Sequence, residues 1–144
     1  AALAVMPQLA GFIPMLTGTG GNCGSQSSTL VIRGLTVGEI EFHDLFKVIW
    51  KEIRIAVCIS LVLSVVNGIR IVLMGQGDML MALTIGLTMA CTVVIAKVVV
   101  CTLPLVAKKV GLDPAVMATP LISTLVDIST ISVYFAIVST VFQL

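Results

Sequence analysis

Apolar residues run through this chain in long, nearly unbroken stretches, with polar residues confined to short intervals between them. A bilayer core of about 30 Å is crossed by about 20 residues of helix, and four stretches reach that length. Residues 1–35 open apolar, carry Pro7 and Pro14, and then enter TGTGGNCGSQSST at 17–29. Residues 55–74 (IAVCISLVLSVVNGIRIVLM) and 79–107 are continuous apolar spans, and residues 114–144 hold a single charge, Asp127. Every backbone polar group in lipid must be paired internally, so such runs predict helices. The alternating pattern of a membrane β-barrel is absent. The predicted fold is an all-α polytopic membrane protein, a transmembrane helix bundle with four spans.

The intervals carry patterns of their own. Thr36 and Glu39 in T-V-G-E read as a capping box for a helix starting near Val37. Phe42, Leu45, Phe46, Ile49, Trp50 and Ile53 then recur at helical spacing opposite Glu41, His43, Asp44, Lys47 and Lys51. This predicts an amphipathic helix over about 37–53 lying on the cytoplasmic interface, with Trp50 at headgroup depth and His43 on its solvated face. The last span opens at Asp113, a capping residue, with Pro114 at the first helical position. Pro120 then removes a backbone donor further in and frees a carbonyl one turn earlier. Arg33, Lys47, Lys51 and Arg54 in the first connection, and Lys108 and Lys109 in the third, place both on the cytoplasmic side. The second, with Arg70 at its edge and Asp78, is external. The N-terminus lacks Met and a basic leader, and is expected to lie partway along a longer membrane protein.

Composition agrees: 58% of the residues are hydrophobic, 10% are charged, and mean hydropathy is +1.19. A soluble domain carries about 25% charged residues. A net charge of +1 and the lack of basic runs with aromatics argue against a nucleic-acid partner. Cys23, Cys58, Cys91 and Cys101 form no C-x-x-C pair, which leaves them as buried small hydrophobes. No nucleophile–base pair or catalytic metal motif occurs, so no enzyme is expected.

Arg70, Lys97 and Asp127 are the charges inside spans. Arg70 and Lys97 have stems long enough to snorkel to the external and cytoplasmic sides. Asp127 lies near mid-span on a short side chain, where a charge costs at least ~2.5 kcal/mol and marks function by default. Thr119, Ser123, Asp127, Thr130 and Tyr134 fall on one helical stripe. Two readings are open: a hydrated pore wall, or a Ser/Thr packing face with Asp127 paired to Lys97 or a neighbouring helix.

The run from Thr17 to Thr29 sets Gly18, Gly20, Gly21 and Gly24 among Asn22, Ser25, Gln26, Ser27 and Ser28. Glycines allow close backbone approach and accessible carbonyls, and hard cations such as Mg²⁺ and Ca²⁺ want carboxylate, carbonyl and water oxygens. The His/Cys set of a zinc or copper site is missing, and no G-K-[ST] follows to make a phosphate loop. Two chains on a two-fold axis would set two Asp127 carboxylates against one divalent ion. Since Mg²⁺ keeps much of its water, Asp127 is expected to act as an electrostatic filter on a hydrated ion. A coupled secondary transporter binding H⁺ or Na⁺ at Asp127, or a non-transporting membrane subunit, are the competing functions.

PMLTGTGGNCGSQSSTLVIRGL (14–35) and LDPAVMATPLISTLVDISTISVYF (112–135) together resemble the transmembrane domain of the MgtE magnesium channels and transporters. The two motifs cover about a third of the chain, and hydropathy and loop order agree over the rest. The resemblance implies a homodimer in a cell membrane, with a Mg²⁺ pore lined by the first and last helices seen here and Asp127 as its carboxylate. It further implies backbone oxygens near Gly21 and Ser25 and the turn around Thr119 and Ser123 as the rest of the hydrated-ion site, beside Asn22. The family often carries Asn where this chain has Ser25. Its members resemble five-helix units preceded by a cytosolic N-domain and paired CBS domains that sense Mg²⁺; the first of those helices and the regulatory domains would lie outside this sequence.

Overall fold

The computed structural model describes residues 7–75, 78–115 and 120–143. They form α1 (Pro7–Ala10), α2 (Ile13–Val37), a 3₁₀ turn (Phe42–Asp44), α3 (Leu45–Leu73), α4 (Met79–Lys109) and α5 (Pro120–Val141). No strand occurs among the described residues, and the chain is an all-α membrane helix bundle. Among the described residues three helical stretches are long and apolar enough to cross a membrane: Phe42–Leu73, Met79–Lys109 and Leu121–Val141. The expected first crossing corresponds to α1 and α2. The 25 residues of α2 reach about 38 Å at 1.5 Å per residue. Its polar run lowers its hydropathy, and α2 is not one of those three stretches.

Helix α4 is the central element. Half of its membrane window is buried, against 17% for α3, because α2, α3 and α5 all pack on it. Leu9, Leu16, Ile71, Ile85, Met89, Val93, Tyr134 and Val138 form the larger core. Val31 and Leu35 of α2 meet Cys101 and Leu105 at the other end. The outward side of α3 keeps Leu61, Val62, Val65, Val66 and Ile69 exposed, as suits a lipid-facing surface.

The helix ends differ from the sequence reading in instructive ways. Thr36 does not open a helix: its hydroxyl donates to the Ile32 carbonyl at 2.8 Å, inside the last turn of α2. That helix stops at Gly38, whose φ of 78° is the left-handed cap conformation. The amides of Glu39 and Ile40 then donate to the Gly34 carbonyl at 2.9 and 3.1 Å. The next start is set by Glu41 and Asp44, with the Glu41 amide donating to Asp44 Oδ2 at 3.2 Å. From there α3 runs unbroken from Leu45 to Leu73, so the amphipathic stretch and the following span are one helix. Nothing between 53 and 55 breaks it, since Arg54 is a good helix former.

Asp78 caps α4, accepting from the Met81 amide at 2.8 Å. Pro104 lies inside α4 and is buried, where it removes a mid-helix donor. The described part of α5 begins at Pro120, and the turn before it, with the carbonyl expected to be freed, lies outside the described residues. Asp113 accepts from the Ala115 amide at 2.9 Å, and the start expected at Pro114 runs into residues 116–119, outside the described ones. Lys108 donates to the Leu35 carbonyl at 3.0 Å and Lys109 lies 4.0 Å over the Phe42 ring, so the first and third connections share one end of the bundle.

Candidate functional site

On α5, Ile122, Val126, Thr130, Tyr134 and Val138 are buried, one residue every turn, and form the ridge that faces the bundle. Asp127 follows Val126 by one position and is half-buried on the flank of that ridge. Among the described residues no basic group lies within ion-pair distance of it. Ser123 is exposed one turn before it, while Thr119 lies outside the described residues. The lower half of the expected stripe turns inward: Thr130 is 2% and Tyr134 1% exposed. The Tyr134 hydroxyl donates to the Leu9 carbonyl at 2.8 Å. The step of three residues from Asp127 to Thr130 turns the stripe back by about 60°, which puts it on the buried ridge.

The glycine run of α2 stays fully helical, so its carbonyls serve the helix and its glycines serve two opposite purposes. A Cβ on Gly20 would stand 2.9 Å from Thr92 Cγ2 and 3.0 Å from Val126 Cγ1. One on Gly24 would stand 3.0 Å from Val100 Cγ2. These glycines let α2 close on α4 and α5. Gly18 and Gly21 have nothing within 4 Å and face open space. Asn22, Ser25 and Gln26 are exposed on the same helix. The Ser25 carbonyl already accepts from the Thr29 hydroxyl at 2.9 Å, which leaves its side-chain hydroxyl as the freer oxygen.

Leu9 meets Tyr134 and Gly24 meets Val126, so α2 and α5 run antiparallel. In an antiparallel pair of right-handed helices, one step past the contact turns both chains by about 100° toward the same side of the seam. Gly21 and Ser25 each follow a contact glycine by one, as Asp127 follows Val126. The three therefore share one side of the α2–α5 seam, with Ser123 nearby. Asn22, three residues before Ser25 and about 60° from it round α2, is exposed on the outer flank of the same side. No cluster of three or more His, Cys, Asp or Glu side chains occurs among the described residues, so this side offers scattered oxygens around one carboxylate and no closed cage.

Lys97 does not snorkel. It is buried against Glu52, Nζ to Oε2 3.0 Å, with both side chains 4% exposed. Lys97 also donates to Ser27 Oγ at 2.8 Å, and Ser27 donates to Glu52. Desolvating an ammonium so deeply requires a carboxylate partner, and Glu52 supplies it. The sequence did hold a signal for Glu52. Glu52, Ala56 and Ser60 are the buried positions down one face of α3, a carboxylate at the head of a small-residue packing stripe. Arg70 stays near the end of α3, its Nη2 3.4 Å from Met15 Sδ, beside a cavity of about 290 Å³ lined with Gln8, Gly11 and Phe12. Cys23 and Cys101 are buried, Cys91 is half-buried and Cys58 is exposed. The exposure of Cys58 departs from the expected burial, and its place on the outward, apolar side of α3 accounts for it.

Apolar helices of membrane-crossing length packed around a central buried helix define a multi-pass membrane protein. The model of a family described as MgtE, divalent cation transporter, matches residues 13–137, and the chain belongs to that family. A protein called magnesium transporter MgtE from Thermus thermophilus is 32% identical over 139 residues, covering 94% of this chain and 30% of the relative. Its namesakes from Bacillus subtilis and Enterococcus faecalis are 35% identical over 136 and 33% over 134 residues, and the chain spans about 30% and 29% of their lengths.

Proposed function

We propose that this chain is the membrane part of a Mg²⁺ transport protein, and that the open side of the α2–α5 seam is one wall of its ion path. The observation that carries the reading is the state of the charges. The deeply buried lysine is taken by Glu52, while Asp127 sits within a span with no cation of its own among the described residues. A carboxylate costs at least ~2.5 kcal/mol at that depth, and a passing cation with its water is what would offset the cost. The ion keeps most of its shell, because the described residues offer no cage and Mg²⁺ sheds water reluctantly. The Ser25 and Ser123 hydroxyls and the uncovered backbone at Gly21 then meet the water shell; Thr119, expected beside them from the sequence, lies outside the described residues.

A second copy of the chain facing this seam would set two Asp127 carboxylates against one divalent ion, which balances its charge. The rest of the full-length protein, about 70% of its relatives' length outside this chain, would supply the cytosolic domains that regulate the path. In reconstituted full-length protein, Asp127→Ala should reduce Mg²⁺ flux more than tenfold. A unit charge 4 Å from an ion is worth about 4 kcal/mol at an effective dielectric constant of about 20, and about 1.4 kcal/mol is already a factor of ten. Unchanged flux refutes the assignment. Flux that follows an imposed pH or Na⁺ gradient, and not the Mg²⁺ gradient alone, would replace the channel with a coupled transporter.

A further inference from the structure

Three helices meet at a buried polar cluster that the ion path does not use: Ser27 of α2, Glu52 of α3 and Lys97 of α4. Glu52 and Lys97 neutralise each other directly at 3.0 Å. Ser27 is not needed for that balance, so its two hydrogen bonds to the pair add something else: a tether on α2. Hydrogen bonds to charged groups are about twice as strong as neutral ones, and this one lies where water does not compete, since Ser27 is 0% exposed.

The tether is placed where it governs rotation. Ser27 lies two residues past Ser25, and at about 100° per residue the two point about 160° apart around α2. One side of the helix is thus fixed to the ion pair while the opposite side carries Ser25 and Gly21. Toward the open side of the seam α2 packs through Gly20 and Gly24, while Cys23 one turn before Ser27 and Val31 one turn after it are buried in the core. Glycines present no side-chain ridge to seat in a groove of the neighbouring helix, so they hold separation better than angle.

We propose that Ser27 is a positioning residue, whose bonds to the Lys97–Glu52 pair set the rotation of α2 and so which oxygens stand beside Asp127. The consequence for transport rests on the proposed ion path; the rotation itself does not. The test is made on full-length protein in proteoliposomes, with native cysteines replaced and Ser25→Cys as a reporter of a charged methanethiosulfonate reagent. Ser27→Ala leaves the ion pair in place and should change the reaction rate at position 25 several-fold, and Ser27→Thr should return it. Glu52→Leu combined with Lys97→Met removes the tether's anchor without leaving a lone charge, and should shift the rate the same way. An unchanged rate in both overturns the proposal. In the same liposomes the Mg²⁺ to Ca²⁺ flux ratio should move with Ser27→Ala and not with Ser27→Thr. If Asp127→Ala conducts like wild type, the ion path falls, and the reaction rate at position 25 still decides the tether.

Discussion

Two sites in this bundle put charge inside apolar helices, and they solve the cost of doing so in opposite ways. At the junction of α2, α3 and α4, Lys97 and Glu52 are 4% exposed and satisfied by each other and by Ser27. At the α2–α5 seam, Asp127 is half-buried and holds no basic partner among the described residues. A paired charge is part of the architecture, and nothing passing by can compete for it. A carboxylate without such a partner keeps its cost, and in the proposed ion path a passing cation would offset it. Sequence position alone does not separate these cases, because Lys97 and Asp127 both sit deep within apolar runs.

The sharpest way to break the comparison is to remove half of the pair. Lys97→Met leaves Glu52 as an uncompensated buried charge and should destabilise the protein by about 3–5 kcal/mol, read as a fall in the unfolding midpoint in detergent. Glu52→Leu added to it should recover most of that loss, because an apolar pair of similar volume is often neutral or better. Asp127→Asn should behave in the opposite sense: stability stays level or rises, because a charge costing at least ~2.5 kcal/mol is removed, while Mg²⁺ flux collapses. A protein that unfolds on Asp127→Asn would show that this carboxylate is structural too.

The glycines of α2 allow a smaller test of the same distinction between packed and open sides. Gly20→Ala forces a Cβ to within 2.9 Å of Thr92 and 3.0 Å of Val126, and overpacking of this kind costs about 1–3 kcal/mol. Gly18→Ala meets nothing within 4 Å and should stabilise the helix by about 0.5–1 kcal/mol. Equal effects at the two positions, measured as unfolding free energies, would mean that α2 packs differently.

Much of this arrangement was legible in the sequence, and the rest had physical reasons to stay hidden. Runs of apolar residues gave the helices of the bundle, since lipid leaves the backbone no alternative. The boundary between amphipathic stretch and span near residue 54 was illegible because a helix passes from interface to core without any break in its hydrogen bonds. The partner of Lys97 was hidden for a different reason. Glu52 lies 45 residues away in the chain, and its helix had already been accounted for by an apolar face opposite Glu41, His43, Asp44, Lys47 and Lys51. Asp127 was legible because its short side chain has no route to either interface. Even its neighbours on the stripe could not be sorted into open and packed, since that depends on which helix lies alongside.

Tyr134 carries the finest version of that sorting. It stands two turns beyond Asp127 on the same helix, and its phenol would suit a wet path as well as a packed one. The structure buries it to 1% exposure and spends its hydroxyl on the Leu9 carbonyl at 2.8 Å, tying α5 to the short α1. Tyr134→Phe keeps the ring's packing and removes that single bond, which should cost about 1 kcal/mol of stability and leave Mg²⁺ flux per folded molecule unchanged. Loss of flux with no change in the unfolding midpoint would instead place the phenol in the path, and would extend the open side of the seam past Asp127 toward the far end of α5.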